Sequence, residues 1–244
     1  MSNTVIVSNS QTESIDEALT YLLEIIEKLI DKEEKKFVTV GLTGGSLIKL
    51  LSSGVGKYRE RFLKYSSRLK FIFGDERFVP FTSEDSTYKI YVDNKFFEQL
   101  NVPSENVFAI KADAENVAEC AEDYENRIKP LLNSNNGFDI LILGHGPDGH
   151  ICSLFPDHKL FTEKQTKLVV PISDSPKPPP ERVTLTLDAV NNSSYVLFCS
   201  YGESKAAIIK QIILDKDEAL PAAAVKPVHS VKWYIDKGAA KLLN

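Results

Sequence analysis

The sequence predicts a single α/β domain with a doubly wound, mostly parallel sheet and helices on both faces. Strand-like and helix-like segments alternate along the whole chain, as they do in consecutive βαβ units. The strand-like segments are short apolar runs, which is typical of strands whose two faces are both buried. The 244 residues contain no long linker, so we expect residues 1–244 to form one domain.

The elements of the first half follow from the spacing of their apolar residues. Between residues 12 and 32 these recur every three or four positions, which predicts an amphipathic helix. Residues 86–100 contain four aromatic anchors and also read as a helix. The other elements expected here are strands at 5–7, 36–42, 69–73 and 107–110, a helix reaching residue 51, and a helix at 114–132.

The second half continues the alternation around residues 138–156. This stretch begins as an apolar run and then contains three glycines within six residues. Residues 173–180 contain four prolines and predict a loop. The other elements expected here are strands at 168–172, 182–187, 195–199 and 231–235, a helix at 202–214, and a short C-terminal helix.

Composition and charge exclude several classes of protein. The net charge is −5 and there is no basic cluster, which argues against nucleic acid as a partner. The apolar runs are well short of the ~20 residues that span a bilayer, and the first residues do not resemble a signal peptide. Three scattered cysteines do not form a disulfide framework or a zinc site. We therefore expect a soluble, cytoplasmic protein with no membrane partner.

Residues 138–156 are the first candidate site. A buried strand that opens into a glycine-rich loop is how open α/β sheets form ligand sites at the carboxyl ends of their strands. Asp148 and His150 are separated by one glycine, so the carboxylate and the imidazole can converge on a shared pocket. Such a pair suits acid–base chemistry near neutral pH. The alternative is a capping aspartate beside a backbone-bonded histidine, and we expect the neighbouring His145 to be structural.

Two further loops follow predicted strands. Gly44, Gly45 and Ser46 lead into a helix, where backbone N–H groups and the helix dipole can hold a phosphate. Their spacing is neither that of a P-loop nor that of a dinucleotide fingerprint, and a tight turn with a capped helix is the alternative. Asp75 and Arg77 belong to a charged triplet that is costly to bury unless it is paired. They lie at a strand end, either as solvated surface or as part of a site.

Three basic residues in the second half are candidate anion ligands. Lys177 lies in the proline loop, Arg182 begins a strand, and Lys205 lies in the first turn of a predicted helix. At the position of Lys205 a cation is unfavourable, because the N-terminal end of the helix dipole is also positive, and a bound phosphate would relieve this repulsion. Each of the three is otherwise a solvated surface charge. The four histidines show no zinc-binding pattern, so we expect no catalytic metal.

These stretches together resemble one family. Five motifs occur in order: Gly-x-x-Gly-Gly-Ser, Gly-Asp-Glu-Arg-x-Val-Pro, Leu-Gly-x-Gly-x-Asp-Gly-His-x-x-Ser-Leu-Phe-Pro, Lys-Pro-Pro-Pro-Glu-Arg-Val-Thr-Leu-Thr and Gly-x-x-Lys. They resemble the 6-phosphogluconolactonase family, which is related to glucosamine-6-phosphate deaminase. The resemblance implies a modified Rossmann-type sheet and hydrolysis of 6-phospho-D-glucono-1,5-lactone to 6-phosphogluconate in the oxidative pentose phosphate pathway. It also implies that no cofactor is used.

Expected roles for the site residues follow from this resemblance and from their chemistry. His150, with an unperturbed pKa of ~6.5, is the expected general base, and Asp148 is expected to orient it. Arg77 would stabilise the oxyanion or hold substrate hydroxyls, and Asp75 would bond the sugar or Arg77. The residues expected to hold the 6-phosphate are Gly44, Gly45, Ser46, Arg182 and Lys205, with Lys177 as a further contact.

Two alternative functions remain open. One is a sugar-phosphate isomerase or deaminase of the same fold. The deaminases carry a glutamate five residues after the Asp-Gly-His histidine, where this chain has Phe155, and a phenyl ring cannot move protons. The other alternative is a non-catalytic sugar-phosphate sensor. The expected partner is in each case a small phosphorylated sugar compound, and both a monomer and a homodimer are compatible with the sequence.

Overall fold

The computed structural model describes residues 4–243 and contains ten strands in that range. The strands are β1 Thr4–Ser8, β2 Val38–Leu42, β3 Leu69–Phe73, β4 Asp75–Arg77, β5 Val107–Phe108, β6 Ile140–Leu143, β7 Val169–Ile172, β8 Arg182–Leu185, β9 Tyr195–Ser200 and β10 Ser230–Asp236.

The helices connect these strands and cover both faces of the main sheet. They are α1 Gln11–Glu27, α2 Leu47–Val55, α3 Arg59–Leu63, α4 Thr87–Asp93, α5 Phe96–Gln99, α6 Val117–Ile128, α7 Lys159–Thr162, α8 Leu187–Asn191 and α9 Ala206–Lys210. One π-helical turn extends α1 over Lys28–Lys32, and another extends α9 over Gln211–Asp215.

Seven strands form one parallel sheet in the order β1-β10-β9-β6-β2-β3-β5. The chain runs outward from β2 through β3 to β5 and then returns to the other side of β2 as β6. The order of strands therefore reverses between β2 and β6. Open α/β sheets bind ligands at the carboxyl ends of the strands at such a reversal. The loops that follow β2 and β6 are the first two candidate site loops.

Side chains alternate along the buried strands and contribute to two cores. In β6, Ile140 and Ile142 pack into the core beneath α1 and α2, whereas Leu141 and Leu143 pack into the core beneath α6 and α9. This is the two-residue period of a strand whose faces are both covered. The unbroken apolar sequence of β6 is thereby explained.

A second, three-stranded antiparallel sheet has the order β4-β8-β7. It packs into the core beneath α6, because Val169, Ile172, Val183 and Leu185 are all buried there. Its strand β4 pairs Arg77 with Arg182. The sheet thus places the charged triplet beside the end of the proline loop.

The predicted α/β fold, with a parallel sheet covered on both faces, is confirmed, and its ten strands include all nine that the sequence predicts. Three details differ. The predicted helix at 86–100 is broken into α4 and α5 by Lys95, which adopts a left-handed conformation with φ 55°. The predicted C-terminal helix is wrong, since turns follow β10. Strand β4 and the small sheet were not predicted. The extent of the single domain, residues 1–244, stays a prediction.

Candidate active site

A pocket of about 380 Å³ opens at the carboxyl ends of β2 and β6. Loops from the small sheet and from the end of β9 complete its wall. Nine of the ten residues predicted for the site line this pocket, and the tenth, Asp148, contacts two of them. The nine are Gly44, Gly45, Ser46, Asp75, Arg77, His150, Lys177, Arg182 and Lys205.

The loop after β6 brings Asp148 and His150 into contact. Gly149 between them has φ +78°, a conformation that other residues rarely adopt, and it lets the two side chains turn toward each other. Asp148 Oδ1 lies 2.5 Å from His150 Nδ1. The carboxylate accepts the Nδ1 proton, which leaves Nε2 as the nitrogen with a lone pair. Within residues 4–243, Nε2 has no hydrogen-bond partner.

Gly146 lies directly behind this pair. A Cβ placed on it would be 2.0 Å from His150 Nδ1 and 2.4 Å from Asp148 Oδ1. Its N–H donates to the carbonyl of His150 at 2.9 Å. The Asp–His pair therefore occupies space that any side chain at position 146 would fill. Sequence reasoning did not assign this role, although the spacing of the glycines in the loop is its signal.

Lys177 is the third member of the cluster, and its Nζ lies 2.9 Å from Asp148 Oδ2. Burial raises the pKa of Asp148, but hydrogen bonds from Lys177 and His150 outweigh it and lower the pKa to about 2. Burial and the Lys177 charge lower the pKa of His150, whereas Asp148 raises it, and the net shift is downward. Asp148 is thus ionised and His150 favours the neutral form.

His145 has a structural role, as the sequence suggests. Its Nδ1 lies 2.9 Å from the carbonyl of Gly146 and its Nε2 lies 2.7 Å from Ser200 Oγ. The first contact requires Nδ1–H as donor, so Nε2 accepts from the serine hydroxyl. Burial lowers the pKa of His145 to about 4. Both ring nitrogens are occupied and neither is available to take a proton.

The charged triplet on β4 divides between two environments. Asp75 lines the pocket and accepts a hydrogen bond from Ser153 Oγ at 2.8 Å. Glu76 is buried and accepts the N–H groups of Arg77, Thr87 and Tyr88, each at 2.7 Å. Glu76 therefore caps the start of α4, a role that sequence reasoning missed. The signal was available, since adjacent residues of a strand face opposite ways.

Arg77 lines the pocket and is anchored at one end. Its Nη1 donates to the carbonyl of Asp85 at 2.8 Å, and its Nε is buried without a hydrogen-bond partner among residues 4–243. A bond to Arg77 was one of the two roles considered for Asp75, and among residues 4–243 it does not form; Asp75 Oδ2 accepts from Ser153 Oγ. The guanidinium is fixed in place and retains donors for a ligand.

Arg182 is almost fully buried and anchors the proline loop. Its Nε donates to the carbonyl of Pro179 at 3.0 Å, and its Nη2 donates to those of Lys177 at 2.8 Å and Pro178 at 3.1 Å. Its Nη1 lies 3.4 Å from Ser153 Oγ. Four hydrogen bonds within the described chain leave one of its five N–H groups for a ligand in the pocket.

The glycine loop and Lys205 also line the pocket. Ser46 precedes α2 but makes no capping hydrogen bond with its side chain, so its hydroxyl is available to a ligand. Gly45 has φ +89° and open space where a Cβ would lie. Lys205 Nζ donates to the carbonyl of His145 at 2.8 Å. Burial lowers the pKa of Lys205, with Lys177 acting in the same direction.

Phe155 packs against the catalytic candidate from below. Its ring centroid lies 4.6 Å from that of His150, and the side chain is buried. The neighbouring Cys152 is also buried, and burial raises its pKa well above the usual range. A thiol held protonated is a poor nucleophile. The site therefore presents an imidazole, and not a thiolate, to its ligand.

Among residues 4–243, no group of three or more histidine, cysteine or carboxylate side chains is placed to hold a metal ion. In that same part of the chain, no helix combines the length and the apolar character needed to cross a membrane.

The fold and the pocket define the class: an α/β protein with a histidine–aspartate pair and several cations at the reversal of a parallel sheet.

Comparison with known proteins gives the family. The pattern of the glucosamine-6-phosphate isomerases/6-phosphogluconolactonase family matches residues 9–234. The human 6-phosphogluconolactonase is 45% identical over 214 residues, which cover 84% of this chain and 80% of the human one. The probable 6-phosphogluconolactonase of Drosophila melanogaster is 36% identical over 237 residues, which cover 97% and 94%. The chain belongs to this family.

The structural comparison agrees. The crystal structure of 6-phosphogluconolactonase from Thermotoga maritima superposes with a TM-score of 0.81 at 30% identity, and the match covers 97% of this chain and 100% of that one. A monomeric glucosamine-6-phosphate deaminase superposes with a TM-score of 0.80 at 21% identity. At that identity the second likeness shows the fold alone. The family resemblance that the sequence predicted is confirmed.

Proposed function

We propose that this protein is a 6-phosphogluconolactonase, which hydrolyses 6-phospho-D-glucono-1,5-lactone to 6-phosphogluconate. The observation that carries the proposal is the pairing of Asp148 with His150 Nδ1 at 2.5 Å in a pocket lined by cations. This arrangement leaves a basic nitrogen for a water molecule and positive charge for a phosphate. The family relatives named above, in particular the human protein, support the same activity.

His150 Nε2 is proposed to take a proton from water as the water oxygen attacks the lactone carbonyl. The carbonyl electrons move onto its oxygen and give a tetrahedral oxyanion. When this collapses, the bond from the carbonyl carbon to the ring oxygen breaks and the imidazolium returns its proton to that oxygen. This proton transfer regenerates neutral His150, and the product carboxylic acid ionises in solution. A positioned base of this kind contributes ~10²–10⁴-fold.

Asp148 and Arg77 would assist at the reacting carbon. Asp148 holds the Nδ1 proton, so that Nε2 keeps its lone pair, and it stabilises the imidazolium as that forms. Arg77 lines the same pocket and is fixed by its bond to the carbonyl of Asp85. We assign it to the developing oxyanion or to the substrate hydroxyls. Asp75, in the pocket wall, would accept a hydrogen bond from a sugar hydroxyl.

The 6-phosphate is assigned to the glycine loop, Lys205 and Arg182. Gly44, Gly45 and Ser46 offer backbone N–H groups and a hydroxyl that has no capping role. Lys205 supplies a charge and Arg182 one remaining N–H group. Binding energy at this remote group orients the lactone against the base, which raises turnover as well as affinity. Lys177 lies on the base side of the pocket, against Asp148.

Phe155 supports hydrolysis over deamination. It occupies the position at which the related deaminases carry a glutamate, and here its ring packs against His150. No proton can be exchanged with that position. A non-catalytic sensor is disfavoured because His150 is present, lies against Asp148 and has one ring nitrogen without a partner in the part of the chain that is described. The cytoplasmic location and the monomeric or homodimeric state stay predictions.

The direct test is a rate measurement with freshly generated lactone, corrected for its spontaneous hydrolysis. His150→Ala is expected to lower kcat by about 10²–10⁴-fold while KM changes little, since the base contributes to the chemical step. His229→Ala is the matched control, because His229 is exposed and packs on Tyr195 outside the pocket. A wild-type rate no higher than spontaneous hydrolysis would refute the proposed activity, and near-normal turnover of His150→Ala would remove this residue as the base.

A further inference from the structure

The ammonium of Lys177 lies against the histidine–aspartate pair. Its Nζ is 2.9 Å from Asp148 Oδ2 and 3.1 Å from His150 Nδ1. A lysine ammonium has only donors, and Nδ1 already donates its proton to Asp148 Oδ1. The contact with Nδ1 is therefore an approach of the ammonium to an N–H group. It places a positive charge beside the ring that would itself become positive on protonation.

Asp148 alone would have the opposite effect on His150. An unopposed carboxylate within 4–6 Å of a titrating group typically shifts its pKa by about one to three units toward the charged form. With nothing to oppose the carboxylate, a histidine paired so closely would be largely imidazolium near neutrality, and an imidazolium cannot accept a proton from water. Burial of the ring opposes this shift in the pKa of His150, and the charge of Lys177 opposes it further. The carboxylate of Asp148 is needed to orient the imidazole, but its negative charge must be offset if His150 is to stay neutral.

We propose that Lys177 is a positioning residue that offsets the charge of Asp148, so that His150 remains a neutral base while the carboxylate still orients it. The catalytic consequence rests on the proposed function. The electrostatic part does not, because it concerns the free protein. Lys177 would act through His150, in contrast to the substrate contact that the sequence suggested for it.

Neighbouring groups hold Lys177 at its backbone and at its ammonium. The carbonyl of Lys177 accepts hydrogen bonds from Arg182 Nη2 at 2.8 Å and from Ser175 Oγ at 2.9 Å. Its Nζ also lies 5.8 Å from the ring centroid of Phe155, which packs on the imidazole. A lysine held at both its backbone and its tip loses less conformational freedom when it pairs, so the offset is stable.

Other charged groups also lie near His150. Asp75 raises the pKa of His150 and is the more distant carboxylate, while burial and Lys177 lower it. His145 is neutral for the reasons given above. Lys205 bonds the carbonyl of His145. Of the cations within residues 4–243, Lys177 is the one in contact with both members of the pair, and the charge balance depends on it.

The test uses Lys177→Met, which removes the charge and keeps most of the side-chain volume, and Lys177→Arg, which keeps the charge. The pKa of His150 is measured in the ligand-free protein by NMR titration of the histidine rings, with the signal assigned through its absence from His150→Gln. The expected result is a pKa raised by about one unit or more in Lys177→Met and one close to the parent's in Lys177→Arg. An unchanged or lowered pKa in Lys177→Met overturns the proposal.

Activity provides a second readout. A raised pKa keeps His150 protonated to higher pH, so the acid limb of the kcat/KM profile of Lys177→Met, which reports the free enzyme, should move upward by the same amount. A rise in KM with an unmoved acid limb would make Lys177 a substrate contact and overturn the proposal. The control is Lys226→Met, which removes an exposed lysine paired with Glu218. If the protein proved not to be a lactonase, the NMR result would still decide the electrostatic part.

Discussion

Substitution of Gly146 by alanine tests whether the position of the Asp–His pair limits turnover. The new Cβ would lie 2.0 Å from His150 Nδ1, whereas ordinary contact begins at 3.4 Å, so the two must separate by about 1.4 Å. The carboxylate oxygen of Asp148, at 2.4 Å from the same point, gives no room on that side. Either the imidazole or the loop must move, and Nε2 moves with it.

The size of the effect follows from this displacement. A misplacement of about 1 Å in a catalytic group can cost ~10²-fold in rate. We therefore expect Gly146→Ala to lower kcat by at least about 10²-fold, which corresponds to about 2.7 kcal/mol of the activation barrier. The atoms nearest to the new Cβ belong to His150 and Asp148, and none belongs to a residue assigned to the phosphate, so KM should change by less than about threefold.

The assay is formation of 6-phosphogluconate above the spontaneous rate, with circular dichroism to check that the variant is folded. Gly56→Ala is the control, because Gly56 has a helical φ of −57° and its Cβ would meet only the movable tip of Gln99 at 2.9 Å. The control should retain parental kcat. A kcat for Gly146→Ala within threefold of the parent's would refute the reasoning, since the pair would then tolerate displacement or would not limit turnover.

Two further predictions concern the cap of α4 and the phosphate site. Glu76→Gln places an NH₂ group against backbone N–H donors and is expected to lower the free energy of unfolding by about 2–3 kcal/mol in denaturant titrations. The control, Glu60→Gln at an exposed position, should change the free energy of unfolding by less than about 0.5 kcal/mol. Equal free energies of unfolding for the two variants would exclude the capping role. Lys205→Met is expected to weaken binding of 6-phosphogluconate at least tenfold, since it removes a charge-assisted contact of about 1.5–3 kcal/mol. Binding can be followed by the fluorescence of Trp233, the single tryptophan, whose ring lies 5.9 Å from that of His145. An unchanged affinity of Lys205→Met for 6-phosphogluconate would remove Lys205 from the phosphate site.

The parts of the fold that the sequence predicted are those set by local pattern. The apolar run that became β6 and the glycines that follow it gave both a strand and its loop. Strand β4 was missed because three consecutive charged residues have low strand propensity, and it forms through pairing with β8. The division of the triplet between pocket and cap depends on that pairing. It could not be derived before the strand itself was known.

The sequence predicted which residues meet in the site, but not most of the contacts between them. Asp148 and His150 are neighbours in sequence, so their convergence follows from one intervening glycine. The contact of Lys177 with Asp148 depends on the course of the proline loop, which Arg182 fixes through three backbone carbonyls. Such long-range arrangements are not encoded in any local motif. Of the basic residues that the sequence suggested as phosphate contacts, Lys177 thus has the most direct contact with the candidate base.

The charge of the pocket differs in sign from that of the whole chain. The net charge of the protein is −5, yet Lys177 and Asp148 form an ion pair that leaves Arg77, Arg182 and Lys205 against Asp75. Within residues 4–243 none of these three cations forms a salt bridge, so the pocket retains about two positive charges. A phosphate monoester carries about −1.5 to −2 near pH 7. An acidic surface around a positive cleft steers one kind of anion to one place, and neutralising Asp148 locally keeps that attraction separate from the chemistry of His150.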